Sequence, residues 1–146
     1  MMNHGKAYRL FLEEMEGTIR RTEKFEELQS YVKKLKSSLE MLQKVTTHLI
    51  EVRKKGDPEL FLADATLYLE FFGIVCVAWQ WLLQATAVVK ALMNRPNSAE
   101  ANFYNGKFFA FRYFFEYELP KMEGLARRLM NSDGLTVELK PDLFYD

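Results

Sequence analysis

From Phe71 to Val89 no side chain carries a charge. Such a run must be surrounded by apolar matter, either lipid or protein. A membrane-spanning helix needs about 20 apolar residues, so length alone allows a span. The details point the other way. Gln80, Gln84 and Thr86 interrupt the run. Trp79 and Trp81 sit in its middle, where a span would place its aromatic belt at the ends. The following segment carries Lys107, Arg112, Glu116 and Glu118 at matching depth, and charge at lipid depth is costly. The run therefore reads as the central helix of a protein bundle, with no membrane span, and other elements must cover it.

The rest of the sequence supplies such elements. Ala7/Tyr8, Phe11/Leu12, Met15 and Ile19 recur at three- and four-residue steps and predict a helix over about 5–24. Leu28, Leu35, Leu42 and Leu49 are spaced by seven and thickened by Val32, Leu39, Val45 and Val52, which predicts a helix over about 26–55. Lys54 and Lys55 suit its last turn, and Gly56 suits its stop. Asp57 then reads as an N-cap and Pro58 as the first residue of a third helix, about 58–93. Asn94-Arg95-Pro96-Asn97 breaks the chain, and Ser98 reads as the N-cap of a fourth helix, about 99–131. Pro120 inside it predicts a kink near residues 117–119. Beyond Asp133-Gly134 the alternation of residues 135–139 suggests extended chain in a tail, 132–146. The expected architecture is all-α: one domain over residues 1–146, an antiparallel four-helix bundle with long helices and a short extended C-terminal tail.

The leucine heptad could also be a dimeric zipper. A zipper wants its seam to be the main buried surface, and helices three and four are too apolar to be left uncovered, so the stripe is read as facing the core. The aromatics concentrated between Phe103 and Tyr117 cannot all face one way. Phe108 and Phe109, or Phe114 and Phe115, are about 100° apart around a helix. Some must line the core, and the others reach a second layer or a surface that meets another domain.

Charge and reactive groups exclude several functions. Lys+Arg total 20 and Asp+Glu total 20, so no basic surface for general nucleic-acid binding is expected. Cys76 is the single cysteine, and His4 and His48 are far apart, so no metal site is expected. Glu13, Glu14, Glu16 and the pair Glu116/Glu118 read as solvated helix faces. There is no phosphate loop, zinc signature or nucleophile elbow. No catalytic, cofactor-binding or metal residue is assigned. The opening residues lack an uninterrupted apolar core, so a cytoplasmic location is expected. Within the apolar hairpin, a turn at Pro96 would set Gln80 opposite Arg112 and Gln84 near Lys107. Buried glutamines need partners, so Gln80, Gln84, Lys107 and Arg112 are candidates for structural polar contacts: at least one of the two glutamines is expected to hydrogen-bond across the hairpin, with Arg112 as the donor, and Gly106 would allow close approach.

Two groups of residues resemble a known family. The run Phe61-Leu62-Ala63-Asp64-Ala65-Thr66-Leu67-Tyr68-Leu69-Glu70-Phe71-Phe72-Gly73, followed by Trp79-Gln80-Trp81-Leu82-Leu83-Gln84-Ala85, resembles a helix in the C-terminal helical domain of certain acyl-CoA dehydrogenases. Phe103-Tyr104-Asn105-Gly106-Lys107, then Arg112-Tyr113-Phe114-Phe115 and Leu119-Pro120, do the same, and residues 2–7 resemble the stretch just after the dehydrogenase body. The resemblance implies a parent flavoenzyme that binds FAD and oxidises an acyl-CoA thioester to the α,β-unsaturated product. In the family the catalytic glutamate and the flavin contacts lie in the body upstream, and no residue here matches them. The chain is then expected to be a non-catalytic accessory domain with no cofactor of its own, in a homo-oligomer, docking on the dehydrogenase body or a neighbouring subunit. Its opening at the domain boundary favours an excised domain. The alternative is a stand-alone helical interaction protein that dimerises through an apolar helix face.

Overall fold

The structure, a computed structural model, describes residues 2–56 and 58–145, with side chains from residue 5 onward. The expected cap at Asp57 and the side chain of His4 lie outside the described residues. Helix α1 is Met2–Thr22 and α2 is Gln29–Lys54, the latter entered by a 3-10 turn at Glu26–Leu28. Helix α3 is Pro58–Ala63, α4 is Ala65–Met93, α5 is Ser98–Tyr113 and α6 is Lys121–Met130. No strand occurs among the described residues.

The heptad leucines face inward. Leu28, Leu35, Leu42 and Leu49 are buried, and so are Val32, Leu39, Val45 and Val52. From α4 they meet Phe71, Val75, Ala78, Leu82, Ala85 and Val89, from α1 Met15 and Ile19, and from the last third of the chain Phe111, Phe115, Leu119, Met122, Ala126 and Leu129. All of these repeat at three- and four-residue steps, so each helix presents one continuous stripe to the same core. Burying a side chain of this size contributes about 1.5–3 kcal/mol, which makes the core the principal source of stability. Polar ties fasten the helices at its edge. The Trp79 indole N–H donates to Thr18 Oγ1 at 2.9 Å, and the Thr46 and Tyr68 hydroxyls lie 2.7 Å apart.

Four boundaries differ from those read in the sequence. The third helix is divided at Asp64, whose backbone (φ −108°, ψ 16°) leaves the helical range. This turns the Asp64 carboxylate toward Arg128, 3.6 Å away, so a tie to α6 replaces one turn of continuous helix. The fourth helix is also divided, at Pro120, but by widening instead of breaking. Residues Phe114–Glu118 form a π turn, with the Leu119 N–H donating to the Phe114 carbonyl at 2.9 Å. Proline has no N–H to donate and crowds the preceding turn, and the wider turn relieves both while keeping Phe115 and Leu119 buried. The cap of α5 is Asn97, not Ser98: Asn97 is extended, and its Oδ1 accepts from the Glu100 N–H at 2.9 Å. The alternating segment after Gly134 is a turn. Gly134 has φ +72°, its carbonyl accepts from Val137 and Glu138, and Asp133 Oδ1 accepts from the Leu135 N–H at 3.0 Å. An aspartate–glycine turn closed by three local hydrogen bonds outcompetes alternation that has no partner strand.

Arg128 also grips Asp133 through paired hydrogen bonds of 2.7 and 3.2 Å, and Ser132 meets His48 at 2.8 Å. The Arg128 guanidinium, helped by the Leu135 amide, holds the Asp133 carboxyl down to about 2. A carboxylate whose folded value is depressed contributes above its unfolded value, about 4, and the contribution is lost as pH falls through the folded value. The expected result is that Asp133 titrates with a midpoint near pH 2 in an NMR carboxyl titration, with the Leu135 amide signal unmoved at pH 4. A midpoint at the ordinary aspartate value would show that Arg128 does not hold the tail.

Candidate docking surface

Between Phe71 and Val89 helix α4 is uncharged on both faces, and only one of them is covered. Its buried stripe, Phe71 to Val89, faces α2 and the other helices. Opposite it on the helical wheel lie Leu69, Gly73, Val77, Gln80, Gln84 and Ala87, which no neighbouring helix buries. Leu69 is 71% exposed and Val77 44%. The charge-free run is thus explained only in part by core packing. By length and composition α4 could cross a membrane, yet its inner stripe is spent on protein contacts.

Helix α5 continues this surface. Phe111 and Phe115 point into the core, while Phe103, Phe109, Tyr113 and Tyr117 stand exposed. Tyr113 and Tyr117 stack with ring centroids 4.7 Å apart and planes 11° from parallel. Helices α4 and α5 are neighbours, and both come near Lys121. Lys121, hydrogen-bonded to Glu118 at 2.7 Å, is raised above its ordinary value chiefly by that bond and further by the fields of Tyr113 on α5 and Glu70 on α4. At the other end of α5, Lys107 lies over the Phe103 ring, 5.6 Å from its centroid. The surface therefore exposes Leu69, Val77, Phe109, Tyr113 and Tyr117 with the uncharged amides of Gln80 and Gln84 among them, and charged side chains stand at its margins. Exposed apolar patches on a folded domain mark interaction surfaces for protein, membrane or ligand.

Two glycines sharpen this description. A Cβ added to Gly73 or Gly106 would meet nothing within 4 Å. Glycine within a helix costs about 1 kcal/mol relative to alanine, and the interior gives neither glycine a reason to be there. Gly106 does not serve the α4–α5 approach expected for it.

The polar residues singled out in the sequence are not brought together. Gln80 and Gln84 are exposed, so neither amide needs a buried partner. Among the described residues no hydrogen bond joins either of them to Arg112. Arg112 points instead into a cleft against the start of α2, beside Glu27, Ser30 and Tyr31. Arg112 shares that cleft with Val89, Leu92 and Met93 of α4, and Gln80 and Gln84 are on the uncovered face of the same helix. Lys107 engages its own helix through Phe103. The described residues contain no cluster of three His, Cys, Asp or Glu groups that could hold a metal. Cys76 sits half-covered on α4, and burial pushes its thiol up. Sequence reasoning missed the exposed Leu69, Val77, Tyr113 and Tyr117; an aromatic density too great for a single core stripe was the signal for the two tyrosines.

The family described as acetyl-CoA dehydrogenase C-terminal like matches residues 11–140. The chain belongs to the acyl-CoA dehydrogenase C-terminal-like family. No curated protein matches it. Within this C-terminal-like domain the resembling residues have visible structural work. Asp64 ties to Arg128, Tyr68 to Thr46, and Trp79 to Thr18. Phe103 and Gly106 have no such interior task and lie on the outer surface.

Proposed function

We propose that this chain is the non-catalytic C-terminal accessory domain of an FAD-dependent acyl-CoA dehydrogenase. It docks on the enzyme body, or on a neighbouring subunit of a homo-oligomer, through the outer face of α4 and α5. The observation that carries the reading is the uncovered apolar strip of Leu69, Val77, Tyr113 and Tyr117 on a domain of this family. The exposed Gly106 and the half-buried Gly73, where an added Cβ would meet nothing, add to it, since they suit a partner backbone that comes close. The parent enzyme would oxidise an acyl-CoA thioester to the α,β-unsaturated acyl-CoA. FAD does not fit the roomiest cleft described, about 620 Å³: among its lining residues Arg112 is the single cation to meet a diphosphate, and Glu27 lines it as well.

The same strip supports a second reading, a stand-alone protein that pairs through α4 and α5. One experiment separates them. The chain is mixed with a family dehydrogenase body that lacks this domain, and run on a sizing column beside the chain alone. Co-migration with the body is expected. The double variant Val77→Lys, Tyr113→Lys should weaken it at least tenfold, with unfolding changed by only about 0.5 kcal/mol per site because both positions are exposed. A dimer of the chain alone, abolished by the same pair, favours the second reading. A monomer indifferent to the body sinks both.

A further inference from the structure

We propose that the cleft between the start of α2 and the α4–α5 turn is a binding site for a small, singly charged anion with an apolar body. Its lining shares no residue with Leu69, Val77, Tyr113 and Tyr117 of the docking surface. Its volume of about 620 Å³ falls within the range of small-molecule sites, about 300–1,000 Å³. Three segments build it. Glu27 of the 3-10 turn and Ser30 and Tyr31 of the first turn of α2 form one side, Val89, Leu92 and Met93 come from the end of α4, and Asn105, Phe108 and Arg112 from one face of α5.

The floor is apolar and held in place. Tyr31 packs on Phe111 with centroids 4.6 Å apart and edge-on to Phe115 at 5.6 Å, and Phe108 packs on Phe111 at 5.4 Å. Met93 stands at the lip, 69% exposed, and its flexible thioether can fold over a bound ring. The polar groups are unspent. Among the described residues Arg112 has no ion pair, and no side-chain hydrogen bond involves Asn105 or Ser30. A guanidinium with free donors beside an apolar floor matches a planar carboxylate or a sulfonate on a hydrophobic body. Glu27 sets the charge limit. It lines the same cleft, makes no ion pair with Arg112 among the described residues, and repels a second negative charge, so a monoanion fits where a diphosphate does not.

The test is an amide-resolved NMR titration of the 146-residue chain with 1-naphthoate, its neutral isostere 1-naphthamide, and a naphthalene disulfonate. Saturable shifts centred on Ser30, Met93 and Asn105 are expected with naphthoate. Naphthamide should bind at least tenfold more weakly, and the disulfonate should compete poorly. Arg112→Gln should weaken naphthoate at least tenfold. Glu27→Gln should strengthen it severalfold and admit the disulfonate. Lys107→Gln, outside the cleft, should change nothing. Equal affinity for naphthoate and naphthamide on the unaltered chain would overturn the proposal without recourse to any variant. So would unchanged binding in Arg112→Gln, or shifts centred on Leu69, Val77 and Tyr113, which would assign the probe to the apolar strip.

Discussion

Phe111→Ala is expected to lower the unfolding free energy by about 3–5 kcal/mol, the range for removing a buried aromatic ring. Phe111 is fully buried where α5 meets α2. Its ring lies 4.6 Å from Tyr31, 5.4 Å from Phe108 and 4.9 Å from Phe115, centroid to centroid. Truncation removes three aromatic contacts at once and leaves a hole that a bundle braced from several sides cannot close. Domains of this kind are stable by only about 5–15 kcal/mol, so the loss is a large fraction of the whole. The internal control is Phe109→Ala, two residues away and 68% exposed, where a change within about 0.5 kcal/mol is expected. Urea unfolding of the three proteins, with slopes compared as well as midpoints, decides the matter. Equal losses at Phe109 and Phe111 would mean that α5 is rotated relative to the packing described.

Leu42→Ala should cost about 2–5 kcal/mol, and Leu35→Ala a similar amount. Both side chains are fully buried within the single chain. The location of the loss matters as much as its size. If the leucines formed the seam of a zipper, the stability of the parent and the penalty would depend on protein concentration, because unfolding would be coupled to dissociation. Packed against α1, α4 and α6 of the same chain, they should give a penalty that stays constant over a hundredfold range of concentration. Melts of both variants within error of the parent would place the stripe in solvent.

The helices were legible because their signals are local. The sevenfold leucines of α2, the stop at Gly56 and the turn around Pro96 each depend on residues within a few positions of one another. The left-handed Gly56 (φ +89°) is a direct case, since only a glycine takes that conformation without cost. The division at Asp64 was not legible, since it answers to Arg128, far along the chain. Pro120 announced a disturbance but not its form. Whether a helix kinks or widens into a π turn depends on which side chains must stay in the core, here Phe115 and Leu119.

The candidate surface was half legible. Too many aromatics for one core stripe implied an exposed set, and the family resemblance implied something to meet. Which rings were exposed required the rotation of α5 about its axis. The error over Gln80, Gln84 and Arg112 has the same origin. Depth along a hairpin follows from counting residues, but the direction of a side chain around each helix follows from packing.

The sequence by itself determined that this chain is helical, where its long helices run, that the α2 stripe faces inward, and which family it resembles. Periodicity, caps and turns are interactions between near neighbours, so they are written in the order of the residues. Only the tertiary structure decided that one apolar face of α4 is covered and the other is not. An apolar helix offers the same hydrophobic gain on every side, and which side is buried depends on where α1, α2, α5 and α6 pack against it. Those positions come from contacts between residues far apart in the chain. The strip of Leu69, Val77, Tyr113 and Tyr117 is what their packing left uncovered.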